Sequence, residues 1–77
     1  MSVEQTIRDL ISANVARFDG NAVKADGLLI DSGLDSLDIA TVLLEVQEAF
    51  DIVLPEGRED EYDTLAKLTA FVEAAKA

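Results

Sequence analysis

Gly33-Leu34-Asp35-Ser36-Leu37-Asp38 decides how this chain is read, because a glycine-containing, acid-flanked loop there runs into an amphipathic helix. From about Ser36 to Phe50, Ile39, Leu43, Val46 and Phe50 fall within one narrow arc at 100° per residue, with Ala40 and Val42 on its flanks. That arc is the predicted core stripe. Asp38, Thr41, Glu45 and Glu48 take the opposite arc, and Leu37 and Leu44 project together beside the acids. Two leucines at this border are either the edge of a wide core or an apolar contact ringed by charge, the usual anatomy of a small interface. Ser36 stands at the junction of loop and helix. As a structural residue it is an N-cap, with Asp35 and Asp38 suited to the positive helix terminus.

Upstream, Ser2 and Gln5 have the spacing of a capping box. Val3, Ile7, Leu10, Ile11, Val15 and Phe18 recur at helical spacing, which predicts a helix over roughly residues 3–17, ended by Asp19-Gly20. Glu4 near its start and Arg17 near its end complement the dipole. Residues 19–35 hold three of the four glycines and no sustained period, so a long loop is expected there, pinned by Leu28, Leu29 and Ile30. Downstream, Ile52-Val53-Leu54-Pro55 suits an extended connection, and residues 56–62 at most a short helical turn. Asp63 or Thr64 caps a last helix with Leu65, Leu68, Val72 and Ala75 on one face, Phe71 alongside and Lys76 at its favourable end. The expected fold is all-α, a small antiparallel bundle of three main helices and one short helical segment, with residues 1–77 forming a single domain.

Composition narrows the function. The chain has 77 residues, no cysteine and no histidine, so disulfides, thiolate metal sites and the usual activated nucleophiles are excluded. An enzyme is not expected. Asp31, Asp35 and Asp38 lack the alternating ligands, central glycine and terminal glutamate of a calcium loop, so no metal site is expected. The net charge of −10 lies wholly within residues 31–63, where eleven acids face Arg58 alone. Nucleic acid and anionic membranes would be repelled. No basic leader and no apolar run of membrane-spanning length is present, and a monomeric cytoplasmic protein without membrane insertion is the expectation.

From Leu29 to Leu65 the sequence resembles the acyl carrier protein family. The resemblance rests on Gly33-Leu34-Asp35-Ser36-Leu37-Asp38, on Glu48-Ala49-Phe50 at the helix end, on Asp51-Ile52-Val53-Leu54-Pro55, and on Thr64-Leu65. It implies an acyl-carrier-like four-helix fold and covalent attachment of 4′-phosphopantetheine, taken from coenzyme A, to Ser36 through a phosphodiester. The arm ends in a thiol that carries acyl or aminoacyl groups as thioesters, which answers the absence of cysteine. The implied partners are a phosphopantetheinyl transferase, an acyl- or aminoacyl-loading ligase, and synthases and transferases with basic docking surfaces. Asp35, Leu37, Asp38, Thr41, Leu44, Glu45 and Glu48 would form the partner-binding face.

Ser32 stands where many members of the family have leucine, Thr41 where bacterial carriers of fatty acid biosynthesis commonly have an acid, and the first loop is short. Leu43-Leu44-Glu45-Val46-Gln47 and Tyr62-Asp63-Thr64 resemble D-alanyl carrier proteins. Fatty acyl, polyketide, aminoacyl and D-alanyl cargo all remain open. A rival from another class is an unmodified acidic helical adaptor that binds a basic protein through the same face.

Overall fold

The computed structural model describes residues 2–16 and 18–76, and within them the fold is all-helical. Helix α1 spans Val3–Asn14, α2 spans Ser36–Phe50 and α3 spans Leu65–Lys76, with short 3-10 turns at Gly20–Ala22, Leu29–Ser32 and Glu59–Glu61. Three such turns stand where one short segment was expected. Helix α1 packs against both α2 and α3, which do not pack comparably closely on each other. The core joins Ile7 and Ile11 of α1, Val42 and Val46 of α2, and Leu65, Leu68 and Val72 of α3. Seven aliphatic side chains at 1 % exposure or less, contributed by all three helices, make burial the main source of stability.

Helix α1 begins as its sequence dictates, with Ser2 Oγ accepting the Gln5 N–H at 3.0 Å. The reciprocal half of the box is replaced. Gln5 Nε2 donates instead to Asp9 Oδ1 and to Asn21 Oδ1, which ties the helix to the first turn. The helix also ends three residues before the expected 17. Asn14 Nδ2 bonds the Leu10 carbonyl, and Val15 leaves helical geometry so that its side chain is buried. Asp19 does not end α1; its side chain caps the Gly20–Ala22 turn. Arg17, expected at the helix end, lies outside the described residues.

The stretch 19–35 is not a structureless loop, because its polar groups are taken up by α1 and by the approach to α3. Arg8 donates through Nη1 to the carbonyls of Gly20 and Val23, and Ser12 Oγ accepts the Gly20 N–H. Further on, Leu29 N–H bonds Asp63 O, Ala66 N–H bonds Ala25 O, and Leu28 pairs with Thr64. Of the three residues expected to pin the stretch, only Leu29 is buried, while Leu28 and Ile30 are 41 % and 51 % exposed. Val23 and Leu34 are the other buried anchors. Gly33 closes the second turn at φ 107°, a conformation that favours glycine, and delivers Leu34 to the core.

Helix α2 has the predicted bounds, but its buried line is rotated. Val42 and Val46 are its most buried residues, whereas Ile39, Leu43 and Phe50 are half-buried and Ala40 is exposed. In α3, Thr64 rather than Asp63 provides the cap, accepting the Lys67 N–H at 3.1 Å, and Ala75 lies exposed rather than on the buried face. Lys76, at the end of α3, places its ammonium 5.6 Å from the Phe50 ring centre.

Candidate functional site

The start of α2 is capped without Ser36. Asp35 is the N-cap: its Oδ1 accepts the Asp38 N–H at 2.7 Å, and Asp38 Oδ2 accepts the Asp35 N–H at 3.3 Å. The N-cap reading of Ser36 is therefore corrected, because the aspartate one residue earlier has a second carboxylate three residues on to complete a reciprocal box. Ser36 is the first helical residue and is exposed. No side-chain hydrogen bond engages its hydroxyl among the described residues. The box also leaves the amides of Ser36 and Leu37 without an intrahelical acceptor. A phosphoryl oxygen on this hydroxyl would lie beside the positive end of α2, where an anion is favoured.

The predicted contact residues distribute along α2 as the periodicity requires. Leu37 is 74 % exposed and Leu44 54 %, and Thr41 and Glu48 are exposed with them at spacings of four, three and four. Asp38 and Glu45 are half-buried beside this row, and Asp35 caps it. Thr41 Oγ donates to the Leu37 carbonyl, so its methyl and not a charge faces outward from this turn. The outcome is two large apolar side chains separated by Thr41 and flanked by acids, on a helix that starts at Ser36.

A second face of α2 was not legible as a site. Ser36, at the start of α2, lines one end of a groove of about 640 Å³ between α2 and the extended residues 53–56, with Ala40, Leu43 and Gln47 along its wall. Gln47 makes this geometry possible. Its Oε1 accepts the Leu54 N–H at 3.1 Å while its Nε2 bonds the Leu43 carbonyl, so the connection is held beside the helix. No spacing in the sequence distinguishes Gln47 from a solvated glutamine. Ile39 and Leu43 belong to this wall, which is why they are half-buried rather than core.

The 3-10 turn at Glu59–Glu61 closes the far side. Lys67 Nζ donates to the Asp60 carbonyl and pairs with Asp63, while Arg58 pairs with Glu61 and lies 6.0 Å from the Phe71 ring centre. The hydrogen bond and then the charge of Glu61 raise the Arg58 pKa, and Arg58 in turn lowers that of Glu61. Tyr62 is 5 % exposed, and its hydroxyl donates to the Pro55 carbonyl at 2.9 Å. Burial first, then the negative charges of Glu59 and Glu56, raise its pKa. Among the described residues no group of three or more acidic, histidine or cysteine side chains is arranged to hold a metal ion, and no helix is long and apolar enough to cross a membrane.

Comparison with known proteins agrees with the geometry. Residues 5–72 match the family model described as the phosphopantetheine attachment site. Among similar curated proteins is an acyl carrier protein of Bdellovibrio bacteriovorus, 28% identical over 95% of this chain and 94% of its own length. Proteins of the same name from Amoebophilus asiaticus and Akkermansia muciniphila are each 30% identical, over 92% and 94% of this chain and 89% and 90% of their own lengths.

Proposed function

The chain belongs to the acyl carrier protein family, whose members are carriers rather than enzymes and bear a phosphopantetheine attachment site, and from that premise we propose that Ser36 is the residue modified. The observation that carries this reading is the Asp35–Asp38 box, which caps α2 without using the adjacent serine and leaves its hydroxyl exposed and unengaged. In the attachment step the Ser36 Oγ–H bond is exchanged for an Oγ–P bond, the pyrophosphate link of coenzyme A breaks, and the nucleotide half departs with the electron pair. The Ser36 hydroxyl proton passes to a base that the transferase supplies, since this chain has no histidine or cysteine. When bound, the arm supplies the thiol on which acyl or aminoacyl groups travel as thioesters.

The chain's own residues then do two things. The amides of Ser36 and Leu37 favour the phosphodiester charge, while solvent reaches exposed Asp35 and half-buried Asp38 and screens their repulsion. Leu37, Thr41, Leu44, Glu45 and Glu48 present the loaded arm to a phosphopantetheinyl transferase, a loading ligase, and synthases or transferases. The acids speed encounter with basic surfaces, and the two leucines provide a brief apolar contact. The groove beside Ser36 offers the cargo shelter from water. The protein acts as a monomeric single domain in the cytoplasm.

Incubation with coenzyme A and a broad-specificity phosphopantetheinyl transferase tests this. One arm's mass is gained by the wild type and none by Ser36→Ala. An unmodified wild type, or equal modification of Ser36→Ala, refutes it.

A further inference from the structure

The space beside Ser36 is divided. Beside the outer groove lies a second, half-open pocket of about 270 Å³, lined mainly by aliphatic side chains that include buried Leu29 and the exposed Leu28 and Ile30. Ile39, Leu43, Glu59 and Tyr62 line both spaces and so form the partition between them. Tyr62 is the largest of the four and the most firmly held. Its ring meets Phe71 edge-on, with centroids 5.6 Å apart and planes at 79°, and its hydroxyl is tied to the Pro55 carbonyl. Swinging the ring aside would break that bond where little water can replace it. Ile39 and Leu43, four residues apart on α2, complete the wall with side chains fixed by the helix.

We infer, on the reading that Ser36 bears the arm, that Tyr62 is the specificity-determining residue that limits cargo length. A chain entering from the Ser36 end extends along the outer groove and stops against the Tyr62 ring; the second pocket is closed to it. The cargo class is a short acyl or aminoacyl group. The outer wall also fits this class, because Gln47 and Glu56 lie among its apolar residues and tolerate a polar substituent better than the mainly aliphatic second pocket does. A longer chain leaves its distal methylenes in water.

The experiment loads wild type, Tyr62→Leu and Tyr62→Phe from butyryl-, octanoyl-, dodecanoyl- and hexadecanoyl-coenzyme A with the same transferase, and follows thioester cleavage by hydroxylamine using intact-protein mass. Each sheltered methylene favours the inward state and slows cleavage about fourfold; methylenes beyond the stop slow it no further. The wild type reaches its plateau before dodecanoyl. Tyr62→Leu moves the plateau to longer chains, and Tyr62→Phe, which keeps the ring and its edge contact to Phe71 but loses the tie to Pro55, moves it less. A plateau at the same length in wild type and Tyr62→Leu overturns the inference, as does an equal displacement in Tyr62→Phe. So does wild-type cleavage that keeps slowing to hexadecanoyl, a result that decides the matter even if Tyr62→Leu fails to fold. Failure of every donor to load overturns the attachment reading itself, whereas normal loading with an unmoved plateau removes only the role of Tyr62.

Discussion

The backbone N–H of Asp38 donates to the Asp35 carboxylate at 2.7 Å, and the backbone N–H of Asp35 donates back to the Asp38 carboxylate at 3.3 Å. This reciprocal pair makes the serine between them dispensable for folding. Asp35→Ala is therefore expected to lower unfolding free energy by about 1 kcal/mol, the usual loss for an N-cap. Ser36→Ala, an exposed change that removes no cap bond, is expected to stay within about 0.5 kcal/mol of wild type. Urea denaturation of the unmodified proteins measures both. A larger loss for Ser36→Ala than for Asp35→Ala would return the cap to Ser36.

The two sides of α2 are expected to separate by stability. Leu44→Ala removes an exposed side chain and should change stability by less than about 0.5 kcal/mol, whereas Leu68→Ala opens the core of α3 and should cost about 2–5 kcal/mol. Leu43→Ala, at the groove wall, should fall between them. Equal losses at Leu43 and Leu44 in denaturant titrations would contradict the separation.

Gly20 is expected to be intolerant of any side chain. A Cβ there would lie 2.0 Å from the Arg8 carbonyl oxygen and 3.0 Å from Ser12 Oγ, inside the contacts that bind the first turn to α1. Gly20→Ala should destabilise by about 1–3 kcal/mol through overpacking. At Gly57 no atom lies within 4 Å of an added Cβ, so steric crowding is absent there and only the positive φ of 84° opposes a side chain. Thermal melts of the two alanine variants should rank them in that order.

Tyr62 is the chain's single tyrosine, so phenolate absorbance reports on it alone. Its folded pKa is raised above the ordinary value of 10.0. Above pH about 10 the unfolded chain releases this proton while the folded chain retains it, so the contribution to stability is full below that pH and falls as pH rises towards the folded value. Tyr62→Phe should lack this part of the alkaline decline. A native titration midpoint at or below that of the urea-unfolded chain would contradict the burial of the hydroxyl.

Crowding of eleven acids within residues 31–63 predicts that salt raises the melting temperature. Sodium, magnesium and calcium chloride should each raise it by screening the acidic segment. A saturable, much larger rise with one divalent ion would reveal a site.

Much of this architecture follows from local pattern. The bounds of α2, the projection of Leu37 and Leu44 outside its core stripe and the Ser2 cap are set by 3.6-residue periodicity and by neighbours within one turn, which a sequence displays directly, while the choice between core edge and exposed contact for the two leucines is made by the structure. The errors arise where distant contacts decide. Val15 leaves the helix to reach the core, Gln47 turns inward to hold Leu54, and the 19–35 stretch is ordered by Arg8 and by the backbone at residues 63–66. Periodicity placed Ile39 and Leu43 on the inward side of α2 correctly. It could not show that a groove, rather than α3, faces them. Ser36 itself was legible as a special position from its motif, but the reason its hydroxyl is unengaged required the two carboxylates to be seen together.

Top-down mass spectrometry of the protein isolated from its native host reads the attachment at its source. One phosphopantetheine arm is expected, with fragment ions that place it on Ser36. An unmodified protein, as the adaptor reading requires, or an arm placed on Ser32 or Thr41, would contradict it.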